Sequence, residues 1–248
     1  MRRPTLGGLR ARISGELIRY FPEFRYVRRP EFPAGSFDYE QYWEARGHTT
    51  GLPSRALIFA EWISRGARVL EVGCGDGALA AHLTEARGCR VVAVDVSERA
   101  VAFARRRGVD AHRRDVVKEP FGPDAFDYIV LSEVIEHLPL PEELLAALRP
   151  SSSRFLVSLP NTAYIFYRVC LGLLGRFPTQ WVVHPSEHLR FWSVTDFRVW
   201  AEAQGCRVVR EAASNGIPVL KRWHHNLFGH QMCYELHRVE SMRAWSSA

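Results

Sequence analysis

Hydrophobic and polar positions follow two different periods along the chain, and the switch between these periods predicts the order of strands and helices. Short apolar runs at residues 67–73 and 89–97 have the composition of buried strands. Each run is followed by a segment in which apolar residues recur at helical spacing, and these two helices are predicted to end at Gly88 and Gly108. Strands that alternate with helices of this length are typical of an α/β protein with a doubly wound, mostly parallel sheet.

The same alternation continues through the middle of the chain. Strands are predicted over residues 109–115, 126–134 and 154–161. A helix over residues 141–150 separates the last two of these strands, because a proline stands at each end of its helical pattern. The chain is therefore expected to lay down a run of parallel strands before residue 161.

The last third of the chain is predicted to complete the sheet. Residues 161–190 form a long insertion, and a helix with Ser193 or Thr195 as its N-cap follows. Residues 206–214 are predicted to form a late strand, and residues 231–240 alternate in the manner of a closing edge strand. The sequence thus predicts a seven-stranded sheet with an antiparallel edge strand.

The composition is that of a soluble globular protein, with 47% hydrophobic and 24% charged residues. Its five cysteines are scattered and form no CxxC pair, which argues against a disulfide framework or structural zinc and for a reducing compartment. No apolar run approaches the roughly 18 residues of a membrane span. The first residues also lack the uninterrupted apolar stretch of a cleaved signal peptide. We therefore expect a cytoplasmic protein.

The net charge of +6 is concentrated at the amino-terminal end of the sequence. Residues 1–30 carry eight arginines against Glu16 and Glu23, so the rest of the chain has no net charge. We predict a division into residues 1–50, a basic arm followed by a helix, and residues 51–248, a single α/β domain. The arm is interpreted as a solvated leader, and the alternative is that it contacts an anionic membrane surface, a lipid-linked substrate, an acidic carrier or a nucleic acid.

Three glycines follow the first predicted strand at alternate positions. Gly73, Gly75 and Gly77 lie where the strand turns into a helix, and glycine there lets a ligand approach the backbone and the free N–H groups of the helix. The spacing also fits a dinucleotide loop. However, Glu71 and Asp76 make this loop acidic, which favours a cationic ligand over a pyrophosphate.

Acidic residues also follow the next three predicted strands. Asp95 ends the second strand, where its carboxylate can accept hydrogen bonds from both hydroxyls of a ribose. Asp115 follows the third strand, where its carboxylate can accept a hydrogen bond from the exocyclic amine of an adenine, with Val116 beside the ring. Ser132 and Glu133 follow the fourth. The carboxyl ends of the strands meet at one edge of the sheet, so these residues are expected to line one ligand site.

The segments VLEVGCGDG, VVAVDVS, RRDV and FDYIVLSEVIEHL resemble the successive motifs of class I S-adenosylmethionine-dependent methyltransferases, over about residues 51–210. The resemblance implies a Rossmann-like fold, S-adenosylmethionine as the cofactor and direct methyl transfer to a nucleophile. It also implies a cofactor site and, before it, an amino-terminal lid helix. The residues implied in cofactor binding are Glu71, Gly73, Cys74, Gly75, Gly77, Asp95, Val96, Asp115, Val116 and Ser132, with Tyr42 and Arg46 on the lid helix.

The EVIEH segment carries the candidate chemistry. Glu133, Glu136 and His137 could hold a divalent metal together with His184 or His188. The segment resembles ubiquinone-pathway O-methyltransferases and small-RNA 2′-O-methyltransferases, which implies such a metal. The alternative is that these side chains brace a loop without metal. His137 is the candidate general base, because a neutral imidazole can accept a hydroxyl proton near neutral pH, and Glu133 is the second catalytic candidate.

The methyl acceptor is predicted to be an oxygen of a small molecule, such as a sugar or glycan, a quinone-like compound or a secondary metabolite. Residues 161–190 are interpreted as a lid over the acceptor pocket. RNA 2′-O-methylation is an alternative, which the uncharged body of the chain disfavours. The carboxyl-terminal third contains the segments PN, GRFP and HLRFWSVTDF. With these it also resembles methyltransferase-like proteins of the MetW type, which implies a second alternative, a non-catalytic regulatory partner in methionine biosynthesis.

Overall fold

The fold is described by a computed structural model for residues 37–48, 51–177 and 184–239. The predicted basic arm and part of the predicted insertion lie outside these described residues. The strands are β1 (Arg68–Val72), β2 (Arg90–Asp95), β3 (Ala111–Arg113), β4 (Tyr128–Ser132), β5 (Arg154–Pro160), β6 (Cys206–Gly216) and β7 (Gly229–Arg238). The helices are α1 (Tyr39–Arg46), α2 (Ser54–Trp62), α3 (Ala78–Arg87), α4 (Glu98–Arg106), α5 (Pro141–Leu148), α6 (Ile165–Leu174), α7 (Val194–Ala203), α8 (Leu220–Trp223) and α9 (His225–Phe228).

The seven strands form one sheet in the order β3-β2-β1-β4-β5-β7-β6. Strands β1 to β5 pair in parallel, whereas β7 is antiparallel to both of its neighbours. The prediction of a doubly wound, mostly parallel seven-stranded sheet with an antiparallel edge strand is confirmed, because the edge strand β6 pairs antiparallel with β7. This topology brings the carboxyl ends of β1, β2 and β4 together at one edge of the sheet.

The position of the last strand differs from the sequence prediction. Residues 231–240 were expected to close the sheet, but β7 lies between β5 and β6, and β6 forms the edge. The reason is burial on both faces, because Cys233 and Tyr234 point to opposite sides and are both 0% exposed. A strand covered on both faces is typical of the interior of a sheet.

The core lies on both faces of the sheet. Consecutive residues of one strand point in opposite directions, and Leu70 and Ile129 pack into the cluster on one face. Their chain neighbours Val69 and Val130 pack into the cluster on the other face. The near-continuous apolar runs of β1 and β4 are explained by this double coverage.

Among the described helices, α1, α4 and α7 begin where a side chain caps a free backbone N–H group. Ser193 Oγ accepts from the backbone N–H of Asp196 at 3.0 Å, so Ser193 rather than Thr195 is the N-cap of α7. Gly88 ends α3 in the left-handed region with φ 64°, as predicted. Among the helices of the described residues, none is both long and apolar enough to cross a membrane.

Candidate active site

A cavity of about 1040 Å³ opens at the carboxyl edge of the sheet. This is the edge at which open α/β sheets bind ligands. Most of the residues predicted for the site line it. They are Tyr42, Arg46, Glu71, Gly73, Cys74, Gly75, Asp95, Val96, Asp115, Val116, Ser132, Glu133, His137 and His188. Gly77 and Glu136 are not among the described residues that line the cavity.

The loop after β1 requires glycine for reasons of both backbone and space. Gly73 and Gly75 have φ of 69° and 55°, in the left-handed region. A Cβ at Gly75 would lie 2.5 Å from the ring of Trp43, and a Cβ at Gly73 would lie 2.6 Å from Val134 Cγ2. Gly77 is needed for helix packing, because a Cβ at this position would lie 2.8 Å from the Cβ of Ala104 in α4. Gly77 therefore lets α3 and α4 pack closely behind the cavity.

Asp95 joins this loop to the end of β2. Its Oδ2 accepts from the backbone N–H of Gly75 at 3.0 Å, and its Oδ1 accepts from the backbone N–H of Ser97 at 2.9 Å. Burial raises the pKa of Asp95, while these backbone hydrogen bonds lower it. Each carboxylate oxygen has a further lone pair, so Asp95 can order the loop and still accept hydroxyl groups from the cavity.

Glu71 is a buried carboxyl group at the end of β1, 4% exposed. It accepts a hydrogen bond from the backbone N–H of Ala80, and its Oε2 has no hydrogen-bond partner among the described residues. Burial raises the pKa of Glu71 to about 8. The acidic neighbour Asp76 is paired with Arg107 at 2.6 Å. Of the two acidic residues of this loop, Glu71 is therefore the one that can interact with a cationic ligand.

Residues that follow β3 also line the cavity. Asp115 accepts from the backbone N–H of Val117 at 3.1 Å and pairs with Lys118 at 3.0 Å. The hydrogen bond from Lys118 lowers the pKa of Asp115. Val116 is 3% exposed, whereas Val96, after β2, is half exposed. These residues make an edge of mixed polar and apolar character, which suits a heteroaromatic ring.

Helix α1 is the predicted lid helix, and it covers the glycine loop. The ring of Trp43 lies against Gly75, and Arg46 donates a hydrogen bond to the Tyr42 hydroxyl. Glu40 fastens the helix, because its two carboxylate oxygens accept from the backbone N–H groups of Glu98 at 2.7 Å and Arg99 at 3.1 Å. An anion at the amino end of α4 also interacts favourably with the helix dipole.

Glu40→Ala is expected to lower the free energy of unfolding by about 1 kcal/mol, the usual effect of losing a helix cap. The matched control is Glu44→Ala, one turn further along α1, because the interaction of Glu44 with the described residues is an exposed ion pair with Arg99 at 3.2 Å. Such a pair contributes about 0–1 kcal/mol. Chemical denaturation of both variants measures the difference. Equal effects would contradict the fastening role of Glu40.

Glu133 lies after β4 with a left-handed backbone, φ 57°. Its Oε1 accepts from Ser158 Oγ at 2.9 Å, and its Oε2 accepts from Gln231 Nε2 at 2.7 Å. The carboxylate is therefore tied to β5 and β7. Its neighbour Ser132 accepts from Arg55 Nε at 3.1 Å. The left-handed backbone fixes the direction in which the EVIEH segment leaves the sheet.

Of the candidate metal ligands, Glu136, His137 and His188 come together, whereas Glu133 and His184 are not part of this group. Potential ligand atoms of Glu136, His137 and His188 lie within 4.8 Å of one another. Neither carboxylate oxygen of Glu136 nor Nδ1 of His188 has a hydrogen-bond partner among the described residues. Glu133 instead accepts hydrogen bonds from Ser158 and Gln231.

The electrostatics of this group follow from its burial. Burial and the nearby Glu133 raise the pKa of Glu136, which is 1% exposed. Burial lowers the pKa of His137 and, with His137 as a neighbour, lowers that of His188 to about 4. His137 Nδ1 bonds to the backbone carbonyl of Glu187. A carbonyl oxygen only accepts, so Nδ1 donates and Nε2 keeps a lone pair.

Arg55 and Gln231 were missed by sequence reasoning. Arg55 lines the cavity, and its charge lowers the pKa of Glu71 and Glu136. One signal could have found Arg55, because α2 leads into the amino end of β1 and its own first turn therefore lies at the carboxyl edge. No local signal marks Gln231, whose role depends on β7 lying next to β5.

Solved structures share this fold. A SAM-dependent methyltransferase from Aquifex aeolicus superimposes with a TM-score of 0.57 at 18% identity, covering 82% of this chain and 100% of that chain. Magnesium protoporphyrin IX methyltransferase from Synechocystis PCC 6803, solved with bound SAH, gives a TM-score of 0.54 at 17% identity, covering 92% and 99%. At these identities the likeness establishes the fold.

Curated relatives are similar in sequence as well. A ubiquinone biosynthesis O-methyltransferase from Xanthomonas euvesicatoria is 31% identical over 150 residues, which cover 53% of this chain and 62% of the relative. The corresponding protein of Hahella chejuensis is 30% identical over 141 residues, covering 49% and 59%. The match thus spans about three fifths of the length of these relatives.

A family model settles the membership of the chain. The model described as a methyltransferase domain matches residues 42–211, which is more than half of the chain. The match begins within the lid helix and includes the glycine loop and the EVIEH segment. The predicted family, with S-adenosylmethionine as its cofactor, is confirmed. The chain therefore belongs to the methyltransferase domain family, among the class I S-adenosylmethionine-dependent methyltransferases.

Proposed function

We propose that this methyltransferase transfers the methyl group of S-adenosylmethionine to a hydroxyl oxygen of a small molecule. The observation that carries the proposal is one continuous cavity that is lined by the glycine loop and by His137. Its volume of about 1040 Å³ is at the upper end of the range for ligand pockets, which leaves room for a cofactor and an acceptor.

The residues of the cavity fit the cofactor. The unpartnered Oε2 of buried Glu71 suits the ammonium of its amino-acid end, because a cation restores the interaction that burial removes. The guanidinium of Arg55 suits its carboxylate. Asp95 holds the ribose through its remaining lone pairs, and Asp115 and Val116 hold the adenine. When bound, S-adenosylmethionine supplies an electrophilic methyl group on a positively charged sulfur.

His137 is assigned as the general base. Its Nδ1 donates to the Glu187 carbonyl, which fixes the ring and leaves Nε2 to accept the proton of the acceptor hydroxyl. Loss of this proton turns the hydroxyl oxygen into the nucleophile. The lid helix and the buried setting exclude water, and much of the acceleration comes from alignment of the two reactants.

Two observations support a small molecule as the acceptor: the side chains that line the cavity, and the names of similar proteins. Aromatic side chains line the cavity, and two relatives that are similar in sequence over part of the chain are named ubiquinone biosynthesis O-methyltransferases. The predicted basic arm lies outside the described residues. Its contact with a membrane surface or a lipid-linked substrate therefore stays a prediction. The boundary at residue 50 also stays a prediction.

The test is a methyl-transfer assay with labelled S-adenosylmethionine and a panel of probe acceptors: catechol, protocatechuate, methyl glucoside and a short single-stranded RNA. We expect label on the oxygen of at least one small hydroxyl compound and none on RNA. Label on the RNA ribose alone would replace the proposal with RNA methylation. Tight binding of S-adenosylmethionine without transfer to any acceptor, together with a co-purifying enzyme, would favour the regulatory alternative.

A divalent metal at Glu136, His137 and His188 is a second proposal, favoured by the unpartnered carboxylate of Glu136. A mixed set of one carboxylate and two imidazoles suits Mn²⁺, Fe²⁺ or Zn²⁺ better than Mg²⁺. A bound metal would supply charge stabilisation for the acceptor oxygen. Calorimetric titration of metal-stripped protein with Mn²⁺, Zn²⁺ and Mg²⁺ tests this. We expect binding that His188→Ala abolishes, and equal heats for this variant and the wild type would reject it.

A further inference from the structure

Part of the cavity is lined by residues that have no role in the proposed cofactor site. They come from the start of α6 with the residue before it, from the segment between β6 and β7, and from the start of β7. We call this surface the acceptor wall, and it is formed by Tyr164, Phe166, Tyr167, Pro218, Lys221 and His230.

The aromatic part of the acceptor wall is held rigidly. The rings of Tyr164 and Tyr167 are 5.8 Å apart at 90°, and the ring of His230 lies 5.1 Å from that of Tyr164. The Tyr167 hydroxyl and His230 Nε2 are hydrogen-bonded at 2.8 Å. Tyr164 and Tyr167 are both buried. A cluster of aromatic edges and faces of this kind favours a planar ring as its ligand.

The charge of the acceptor wall has one sign. Residues 161–177 and 212–230 contain no aspartate or glutamate. Among the described residues that form the wall, Lys221 is the single permanently charged group. Its Nζ donates to the backbone carbonyl of Ser214 at 2.7 Å. An ammonium has three donors, so two of them remain for a ligand.

The backbone that carries Lys221 is strained. Val219 has φ 65°, which is rare for a β-branched residue. Its side chain is 79% exposed, so packing of that side chain does not explain the conformation. The strained residue begins the turn of α8, in which Lys221 lines the cavity while Trp223 is 82% exposed to solvent. Strained backbone conformations of this kind cluster at active sites and at segments that hold ligands.

The ammonium also lacks a counter-ion. Burial and the neighbouring Arg222 lower the pKa of Lys221, and no salt bridge involving Lys221 is present among the described residues. An anion bound in the cavity would reverse both effects. Geometry, charge and strain therefore converge on one ligand group, an anion attached to a flat ring.

We propose that the acceptor wall selects a planar aromatic hydroxy acid, whose ring packs on the partly exposed Phe166 and His230 and whose carboxylate pairs with Lys221. The buried rings of Tyr164 and Tyr167 support Phe166 and His230 from behind. The inference rests on the proposed function for the hydroxyl group that is methylated, but the recognition itself does not. Lys221 acts here as a specificity-determining residue, which separates carboxylated from uncharged phenols.

The experiment measures binding apart from transfer. Protein loaded with S-adenosylhomocysteine is titrated with protocatechuate and with catechol, which differ only in the ring carboxylate. We expect protocatechuate to bind about tenfold more tightly, the ratio expected from one additional ion pair of about 1.4 kcal/mol. Lys221→Met should remove this ratio without changing the affinity for catechol, and Lys221→Arg should keep most of it. The matched control Arg222→Met alters the adjacent cation and should leave the ratio unchanged.

The outcomes separate this inference from the proposed function. Equal affinities for the two compounds in the wild type, absence of protocatechuate binding, or a ratio that survives in Lys221→Met would overturn the role of the acceptor wall. Methyl transfer to catechol and protocatechuate is then measured with the same variants. Selective binding of protocatechuate without transfer would support the acceptor wall and contradict O-methylation. Methyl transfer to both compounds with equal Michaelis constants would support O-methylation and contradict the role of the acceptor wall.

Discussion

His137→Ala is expected to lower the turnover number by about 10²–10⁴-fold, the contribution of a well-placed general base. The dissociation constant of S-adenosylmethionine should change less than twofold, a difference below roughly 0.4 kcal/mol. The reason is that His137 is held by the Glu187 backbone and is not one of the residues proposed to bind the cofactor. The measurement is steady-state transfer to whichever probe acceptor the wild type methylates, with calorimetric titration of the cofactor.

The control for this variant is His112→Ala on the edge strand β3, where the imidazole pairs with exposed Asp110 at 2.8 Å. Its turnover should equal that of the wild type. Unchanged turnover in His137→Ala would reduce His137 to a brace for its loop. Equal losses in His137→Ala, His188→Ala and Glu136→Ala, accompanied by lost binding of Mn²⁺ or Zn²⁺, would assign the imidazole to a metal instead of to proton transfer.

Asp95→Ala is expected to weaken binding of S-adenosylmethionine by about 2 kcal/mol, which is about 30-fold in the dissociation constant. The carboxylate has two tasks that this substitution removes at once. It accepts from the backbone of Gly75 and Ser97, which orders the glycine loop, and it is proposed to accept the ribose hydroxyls. Calorimetric titration measures the affinity, and chemical denaturation shows how much of the loss reflects the loop alone.

Asp95→Asn separates the two tasks. The amide oxygen can still accept one backbone N–H, but the charge is lost and one acceptor becomes a donor. Its affinity should lie between those of the wild type and Asp95→Ala. The control is Asp110→Ala, which removes an exposed aspartate before β3 and should bind the cofactor normally. Unchanged affinity in Asp95→Ala would show that the ribose binds elsewhere.

The cofactor half of the site was predictable because its residues stand at the ends of strands. Hydrophobic runs locate β1 and β2 in the sequence, and the parallel topology then places Glu71 and Asp95 at a common edge. The glycines could be found for the same reason, since a sharp turn between strand and helix needs them at fixed positions.

The remaining contacts depend on tertiary structure that no local pattern carries. Glu40 meets the backbone of Glu98 across 58 positions of sequence, and Gln231 meets Glu133 across 98 positions. The acceptor wall is similar, because it joins α6 to a strained turn around Val219. The place of β7 was missed because the alternation of residues 231–240 is typical of an edge strand, whereas in the sheet even Glu235 is only 6% exposed.

The late position of β7 in the sequence also bears on how the chain folds during translation. Strand β6 leaves the ribosome before β7 but has no partner in the sheet until residues 229–238 emerge. Until then β5 keeps an unpaired edge, and the core lacks Met232, Tyr234 and Leu236, each 0% exposed in the folded protein. A nascent chain that stalls before Gly229 therefore presents an open hydrophobic sheet, the kind of surface that chaperones hold and that aggregates without them.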